Sequence, residues 1–455
     1  MSGANGSLFF KEALTPEGWR RDVRIAWRGA AISAVEVGAA PSADEPKAAI
    51  GLPGLVNLHS HAFQRAMAGL AERRGPGDDS FWTWREAMYR FGLTMSPDHA
   101  EAVAAQAYVE MLESGFTRVA EFHYLHHAPD GRPYADIGEM SARIAAAAER
   151  TGIGLTLLPV FYAHSDFGGI APKPGQRRFI CGLDAYGKLV QRARAIVAPL
   201  EGANLGLAPH SLRAATLEEV AEVVALAGAT PIHIHIAEQT GEVEAALAWG
   251  GRRPVEMLLD AVEVDARWCL IHATHMTADE TRRVALSGAT AGLCAITEAN
   301  LGDGMFDAPE FLSQGGKFGI GTDSNVQIDA VGELRQLEYA QRLARRARNV
   351  IAAPGGSTGL ALFEGALAGG AAAAGQGRAG FQVGAAADIV TLDADALALI
   401  GRDGDALLDG WIFSGGRCID EVYARGRRVV RKGAHIAANG IRDRFRATML
   451  ELLAL

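Results

Sequence analysis

Cysteine is scarce in this chain of 455 residues, and the four present, Cys181, Cys269, Cys294 and Cys418, are scattered with no Cys-x-x-Cys pair. That leaves no disulfide framework to staple a small fold and no cysteine-rich structural zinc site. Cys269 and Cys294 sit in apolar runs and are expected to be buried free thiols. Long hydrophobic runs are missing too, and none reaches the length that crosses a bilayer. The opening MSGANGSLFFKEALTPEGWRRD places charges where a secretory signal needs a continuous apolar core. Excess positive charge is also absent. A net charge of −9 and a pI near 5.8 argue against a nucleic-acid or anionic-membrane surface. The expectation is a cytoplasmic protein whose partner is a small molecule.

What is present is a hydrophobic content of 49 %, enough for a large core, laid out in two rhythms. Near both ends the apolar runs are short and β-rich. Leu8-Phe9-Phe10, Val23-Arg24-Ile25-Ala26-Trp27 and Ala31-Ile32-Ser33-Ala34-Val35 are separated by polar or glycine breaks, and residues 387–392 and 421–430 look similar. Arg425-Gly426-Arg427, between two such runs, marks a hairpin. Residues 1–51 and 382–455 are therefore expected to build one composite small β domain, with the amphipathic tail from Gly440 as a helix.

Residues 52–381 alternate short apolar runs with helical patterns. The candidate strands are 55–58, 118–122, 155–160, 205–208, 231–236, 268–271, 290–293 and 318–321. Helical patterns such as 99–114, 139–151, 217–227 and 278–287 lie between them, and the Gly/Ala-rich residues 365–380 read as a closing helix. Eight such units predict an α/β fold: a (β/α)8 TIM-like barrel, with a small β-sandwich domain formed from both chain ends. A doubly wound sheet is the alternative that periodicity alone does not separate.

In a barrel, chemistry sits just past the C-terminal ends of the strands. Most of the 13 histidines fall there. Strand one gives His59 and His61, strand two Glu121, His123 and Tyr124, and strand four His210 with Ser211 and Arg213. Strand five gives His233, His235 and Glu238, strand six His272 and His275, and strand eight Thr322, Asp323 and Ser324. Residues i and i+2 of a strand point to one side, so His59 and His61 can share a metal ion. Catalytic zinc takes three or four nitrogen and oxygen ligands and leaves room for water. His59, His61, a strand-five histidine and Asp323 supply that set. His235, nearer the strand end, is the better ligand, and His233 is expected inside the barrel. The plain alternative for Asp323 is a turn or helix N-cap. A second ion would need a bridging group, in such barrels often a carboxylated lysine. No lysine lies between Lys47 and Lys173 or between Lys188 and Lys317. One divalent ion is expected, zinc ahead of iron or manganese.

Residues 53–61 (PGLVNLHSH), His235-Ile236-Ala237-Glu238, Ile271-His272 and Gly321-Thr322-Asp323-Ser324 together resemble the amidohydrolase superfamily, and more narrowly its deaminase branch, which uses one metal. The resemblance covers nearly the whole chain. It implies metal ligation by His59, His61, His235 and Asp323. A metal-activated water attacks a carbon doubly bonded to nitrogen, and Glu238 gives the proton that lets the nitrogen leave. His272 polarises the water or stabilises the tetrahedral intermediate, with His275 as the alternative, and Asp323 takes the proton of the water. The plain alternative for Glu238 is a solvated carboxylate beside Glu242 and Glu244.

The segment 62–70 (AFQRAMAGL) followed by Phe81-Trp82-Thr83-Trp84-Arg85 is most similar to the formiminoglutamate deiminases of that branch. These convert N-formimino-L-glutamate and water to N-formyl-L-glutamate and ammonia in histidine breakdown. Two carboxylates call for arginines in bidentate geometry. Arg85, in an aromatic cluster, is the first candidate and Arg213 the second. Gln64, Tyr124 and His210 are candidates to hydrogen-bond the formimino group or the carboxylates. Arg85 stacked on Trp82 or Trp84 at the surface, and Arg213 starting a helix, are the plain alternatives. Around strand seven the resemblance is weaker, and Asn300 receives no role. The competing function is deamination of a heterocycle such as guanine, cytosine or an adenosine derivative, or hydrolysis of a chlorinated triazine. Those neutral rings have no carboxylates to pair. A metal-binding scaffold without activity would require a lost ligand or proton shuttle, and none is missing. The resemblance also implies a homodimer.

Overall fold

Eight parallel strand positions close into a barrel in the computed structural model, which describes residues 5–74 and 81–454 apart from the side chains of Phe81, Trp82 and Ala87. Strands one to three are Leu55–Ser60, Phe116–His123 and Gly154–Phe161. Strand four is split into Asn204–Leu205 and Ala208–Pro209. Strands five to eight are Ile232–Ile236, Trp268–His272, Thr290–Leu293 and Lys317–Ile320. Two arcs of parallel pairs are joined by single bridges, Leu207 to Ile232 and Ser60 to Asp323. The second bridge ties strand one to the end of strand eight, which sets the open doubly wound sheet aside.

Burial on both faces explains the near-continuous apolar runs, because helices cover the barrel outside and side chains fill it inside. Strand four breaks at Gly206, where a Cβ would meet the Pro231 carbonyl oxygen at 2.8 Å. The intervening helices start and stop on local signals. Thr216 and Thr277 accept from the third residue of their helices, and Gly152 and Gly288 end theirs in the left-handed conformation.

The chain ends meet in one continuous hydrogen-bonded sheet of eight strands. The reason is Lys47–Pro53, which pairs in parallel with Gly6–Thr15 on one edge and antiparallel with Ile389–Leu392 on the other. Phe10, Ile25, Trp27, Phe381 and Ile389 form its own core. The hairpin turn falls at Arg425 and Gly426, whose φ values are both positive (52° and 74°). The tail is the helix Ala438–Ala454. No helix among the described residues is long and apolar enough to cross a membrane.

The closing helix, Thr358–Ala373, lies backbone against backbone on strand eight. A Cβ on Gly369 would stand 1.8 Å from the Phe318 carbonyl oxygen, and one on Gly319 would stand 2.8 Å from the Gly370 nitrogen. Gly369→Ala should therefore push this helix off the strand that leads to Asp323. A loss of about 3 kcal/mol is expected, at the upper end of overpacking costs, read as a lower denaturant midpoint. Gly377→Ala is the control, since a Cβ there meets nothing within 4 Å.

Candidate active site

At the C-terminal mouth of the barrel, His59, His61, His235 and Asp323 each offer a ligand atom, and these atoms all lie within 4.8 Å of one another. His61 Nδ1 donates to the Phe122 carbonyl at 2.9 Å and His235 Nδ1 to the His210 carbonyl at 3.0 Å. A carbonyl only accepts, so both rings carry a proton on Nδ1 and turn Nε2 to the centre. His235 Nε2 lies 2.9 Å from His59 Nε2, and Asp323 Oδ1 lies 3.2 Å from His61 Nε2 and 3.5 Å from His59 Nε2. Burial pushes His59 down to about 3 and His235 well below its ordinary value, so the rings are neutral. Burial alone would raise Asp323, but hydrogen bonds to His59 and His61 hold it below the usual carboxylate range. Three imidazoles and a carboxylate converging from three strands fit a divalent cation.

Buried polar side chains hold the two ends of the barrel seam together. Asn57 Nδ2 donates to Thr322 Oγ1 at 2.7 Å, Thr322 Oγ1 to Asn325 Oδ1 at 2.6 Å, and Asn325 Nδ2 to Ser60 Oγ at 3.1 Å. The strand-one histidines and Asp323 are thereby fixed on one frame. Ala237, His272, Ala273, Asp323 and Asn325 all have positive φ between 43° and 68°. Such backbone strain in residues with a side chain is characteristic of a functional site.

A second layer of titratable groups stands above this cluster. Glu238 Oε1 lies 3.7 Å from His272 Nε2, and Glu238 Oε2 lies 3.6 Å from Arg213. Burial raises Glu238 against the opposing pull of His272 and Arg213. Burial would lower His272, but the charge of Glu238, the hydrogen bond with Glu298 and the charge of Asp323 outweigh it and raise the imidazole to about 10. Asp303, buried near these acids, is pushed up to about 9 by desolvation and then by Glu238. His272, Cys294 and Asp323 form a second close set, but it shares Asp323 with the first.

Over these groups opens a pocket of ≈ 520 Å³. Gln64, Arg85, Tyr124, His210 and Arg213 all line it, together with His61, His235, Glu238 and Asp323. Gln64 donates to the Tyr124 hydroxyl at 2.8 Å, and the Arg85 guanidinium lies 5.7 Å from the Tyr89 ring centre. Of the aromatic cluster expected around Arg85, Trp84 lines the pocket, whereas the Phe81 and Trp82 side chains lie outside the described residues.

Comparison with known proteins follows the same lines. Residues 50–429 match the amidohydrolase family, and residues 7–49 match the N-terminal domain of the formimidoylglutamate deiminase HutF. The chain belongs to the amidohydrolase family. A curated formimidoylglutamate deiminase of Pseudomonas aeruginosa is 51 % identical over 98 % of this chain and 99 % of that protein. A 5-methylthioadenosine/S-adenosylhomocysteine deaminase of Natronomonas pharaonis is 28 % identical over 76 % of this chain and 73 % of its own length. The crystal structure of an amidohydrolase from Brucella melitensis superposes with a TM-score of 0.96 at 55 % identity, covering 98 % of this chain and all of that one.

Amidohydrolases use a metal, and the cluster of three histidines and one aspartate is where this family member can hold it. The other expected positions resolve as follows. His233 is buried in the barrel, with Nε2 donating to the Ala373 carbonyl at 2.8 Å. His275 turns away and donates to the Asp303 carbonyl at 2.7 Å, which leaves His272 as the strand-six histidine beside Glu238. Glu121 accepts from the Ala62 N–H at 2.6 Å and the Tyr108 hydroxyl at 3.1 Å, anchoring the turn that carries Gln64. Glu238 is buried rather than solvated, and its backbone N–H donates to the buried Glu242 carboxylate at 3.0 Å. Asn300 binds Glu72 at the surface. Cys269 and Cys294 are buried free thiols, as expected. Sequence reasoning missed Tyr89 and Tyr162 in the pocket wall and Glu298 beside His272. Tyr162 stands one position beyond strand three, so the strand-end rule would have found it.

Proposed function

We propose that this enzyme hydrolyses N-formimino-L-glutamate to N-formyl-L-glutamate and ammonia, a step of histidine degradation, in the cytoplasm and with one zinc ion held by His59, His61, His235 and Asp323. The observation that carries the substrate is the presence of two guanidinium groups, Arg85 and Arg213, in the pocket above the metal-ligating cluster. Two carboxylates and one amidine match two arginines and one cluster of this kind. Kinship with the Pseudomonas aeruginosa deiminase points the same way.

A divalent ion in this set would lower the pKa of a bound water to about 7 and so supply hydroxide at neutral pH. Asp323 turns Oδ1 to the histidines and keeps Oδ2 3.8 Å from His272 Nε2, placed to take the proton of the attacking water. Glu238, whose carboxyl burial pushes above its ordinary value, gives its proton to the formimino nitrogen as the carbon–nitrogen bond breaks. His272, paired through Nδ1 with the Glu298 carboxylate 3.2 Å away, donates from Nε2 to the oxygen as negative charge develops. Arg85 and Arg213 pair the carboxylates, and Gln64, Tyr124 and His210 hydrogen-bond the substrate between them. A homodimer is the expected assembly, which light scattering checks.

The test is ammonia release by the metal-assayed protein with N-formimino-L-glutamate, beside guanine and cytosine. Turnover of the first alone is expected. Turnover of a heterocycle instead would shift the function to the other deaminases. No turnover at one equivalent of bound metal would leave the site in place and overturn the substrate.

A further inference from the structure

The helix behind strand seven contributes nothing to the steps above except a carboxylate. Glu298 lies in the seven-residue helix Ala295–Leu301 and is only 5 % exposed. Its Oε1 accepts from the Cys294 backbone N–H at 3.0 Å and lies 3.2 Å from His272 Nδ1. The neighbouring Thr297 hydroxyl bonds the Thr322 carbonyl at 3.2 Å and the Ser324 hydroxyl at 3.0 Å, on either side of Asp323. One short helix thus grips both His272 and the flanks of Asp323.

We propose that Glu298 is a positioning residue for the reaction: it fixes the His272 ring through Nδ1 and so aims Nε2 at the reacting atoms. His272 and Ala273 have φ of 68° and 47°, a region that residues with a Cβ rarely occupy. Among the described residues, His272 Nε2 has no hydrogen-bond partner, so the ring, stacked on His235 at 5.6 Å, is hydrogen-bonded through Nδ1 to Glu298. With Nδ1–H donating to the carboxylate, Nε2 faces the gap between Glu238 Oε1 and Asp323 Oδ2, 3.7 and 3.8 Å away. An acid behind a catalytic histidine, fixing its tautomer and orientation, serves the same purpose in other hydrolases. The inference rests on the reading of His272 as a group at the reacting carbon.

Glu298→Ala and Glu298→Gln are to be compared as metal-loaded enzymes, with His272→Ala beside them. Glu298→Ala should lower kcat about 10²-fold or more while KM changes by less than about threefold. Glu298→Gln keeps an acceptor for both N–H groups and loses only the charge, so kcat should fall about tenfold. A downfield imidazole N–H proton resonance should be present in the parent enzyme, shifted upfield in Glu298→Gln and absent from Glu298→Ala and His272→Ala. A merely structural Glu298 would lower thermal stability and leave both kcat per bound metal and the resonance of Glu298→Gln unchanged, which overturns the proposal. Should the alanine variant not fold, the glutamine variant decides on the same two readouts. If His272→Ala itself retains full kcat, the mechanistic reading of His272 fails, while the resonance still decides whether Glu298 holds the ring.

Discussion

Asp323→Asn should lower kcat for ammonia release about 10³-fold or more, the combined loss of a general base and of a charged metal ligand. The substitution keeps the volume of the side chain. Two contacts of the Asp323 backbone, its N–H to the His59 carbonyl at 3.0 Å and its carbonyl to the His61 N–H at 2.9 Å, do not depend on the carboxylate. The seam network through Asn57, Thr322 and Asn325 also survives. The fold should therefore be retained. What changes is the face turned to His59 and His61, where an amide replaces an anion that these rings hold ionised. Metal affinity should fall, as equilibrium dialysis would show. Assayed at saturating metal, the enzyme should remain slow, because the Asp323 carboxylate oxygen that would take the proton of the attacking water is gone. Activity within tenfold of the parent at full metal occupancy would remove Asp323 from proton transfer and leave it a ligand.

The barrel was legible in the sequence because its strands are buried on both faces. Continuous apolar runs mark them, and the observed strands differ from the expected ones by a few residues at each end. The histidines that converge with Asp323 were legible because strand periodicity and the strand-end rule act on neighbouring residues. The seam network was not. Asn57 and Thr322 are 265 positions apart, as are Ser60 and Asn325, so no local pattern reports either pair. Glu298 was hidden for a related reason. It stands on a helix behind a strand, and only the fold brings it 3.2 Å from His272. The sheet built from the chain ends shows the limit of local reading in a different way. Runs at both chain ends were visible as strands, but it is the two-sided pairing of Lys47–Pro53 that joins them into one sheet.

Arg213→Met should raise KM for N-formimino-L-glutamate about 10²-fold, the scale of a lost charge-assisted hydrogen-bond pair. Arg85→Met should raise it about tenfold, because Arg85 is only half-buried and its carboxylate partner would keep more of its water. Arg213 is deep in the pocket, 7 % exposed at its side chain, and stands 3.6 Å from Glu238 Oε2. That second contact gives the substitution a separate signature. The guanidinium charge pulls the Glu238 pKa down against the effect of burial. Removing it leaves burial less opposed, so Glu238 stays protonated to a higher pH. The alkaline limb of kcat assigned to the proton donor should then move upward, whereas Arg85→Met should leave that limb in place. A third comparison isolates specificity. Formamidine carries the reacting group and no carboxylate, so neither arginine has a carboxylate to pair in its turnover. The ratio of kcat/KM for N-formimino-L-glutamate over formamidine should collapse in Arg213→Met. If both substrates lose equally, Arg213 acts through Glu238 alone, and a different cation in the pocket reads the carboxylate.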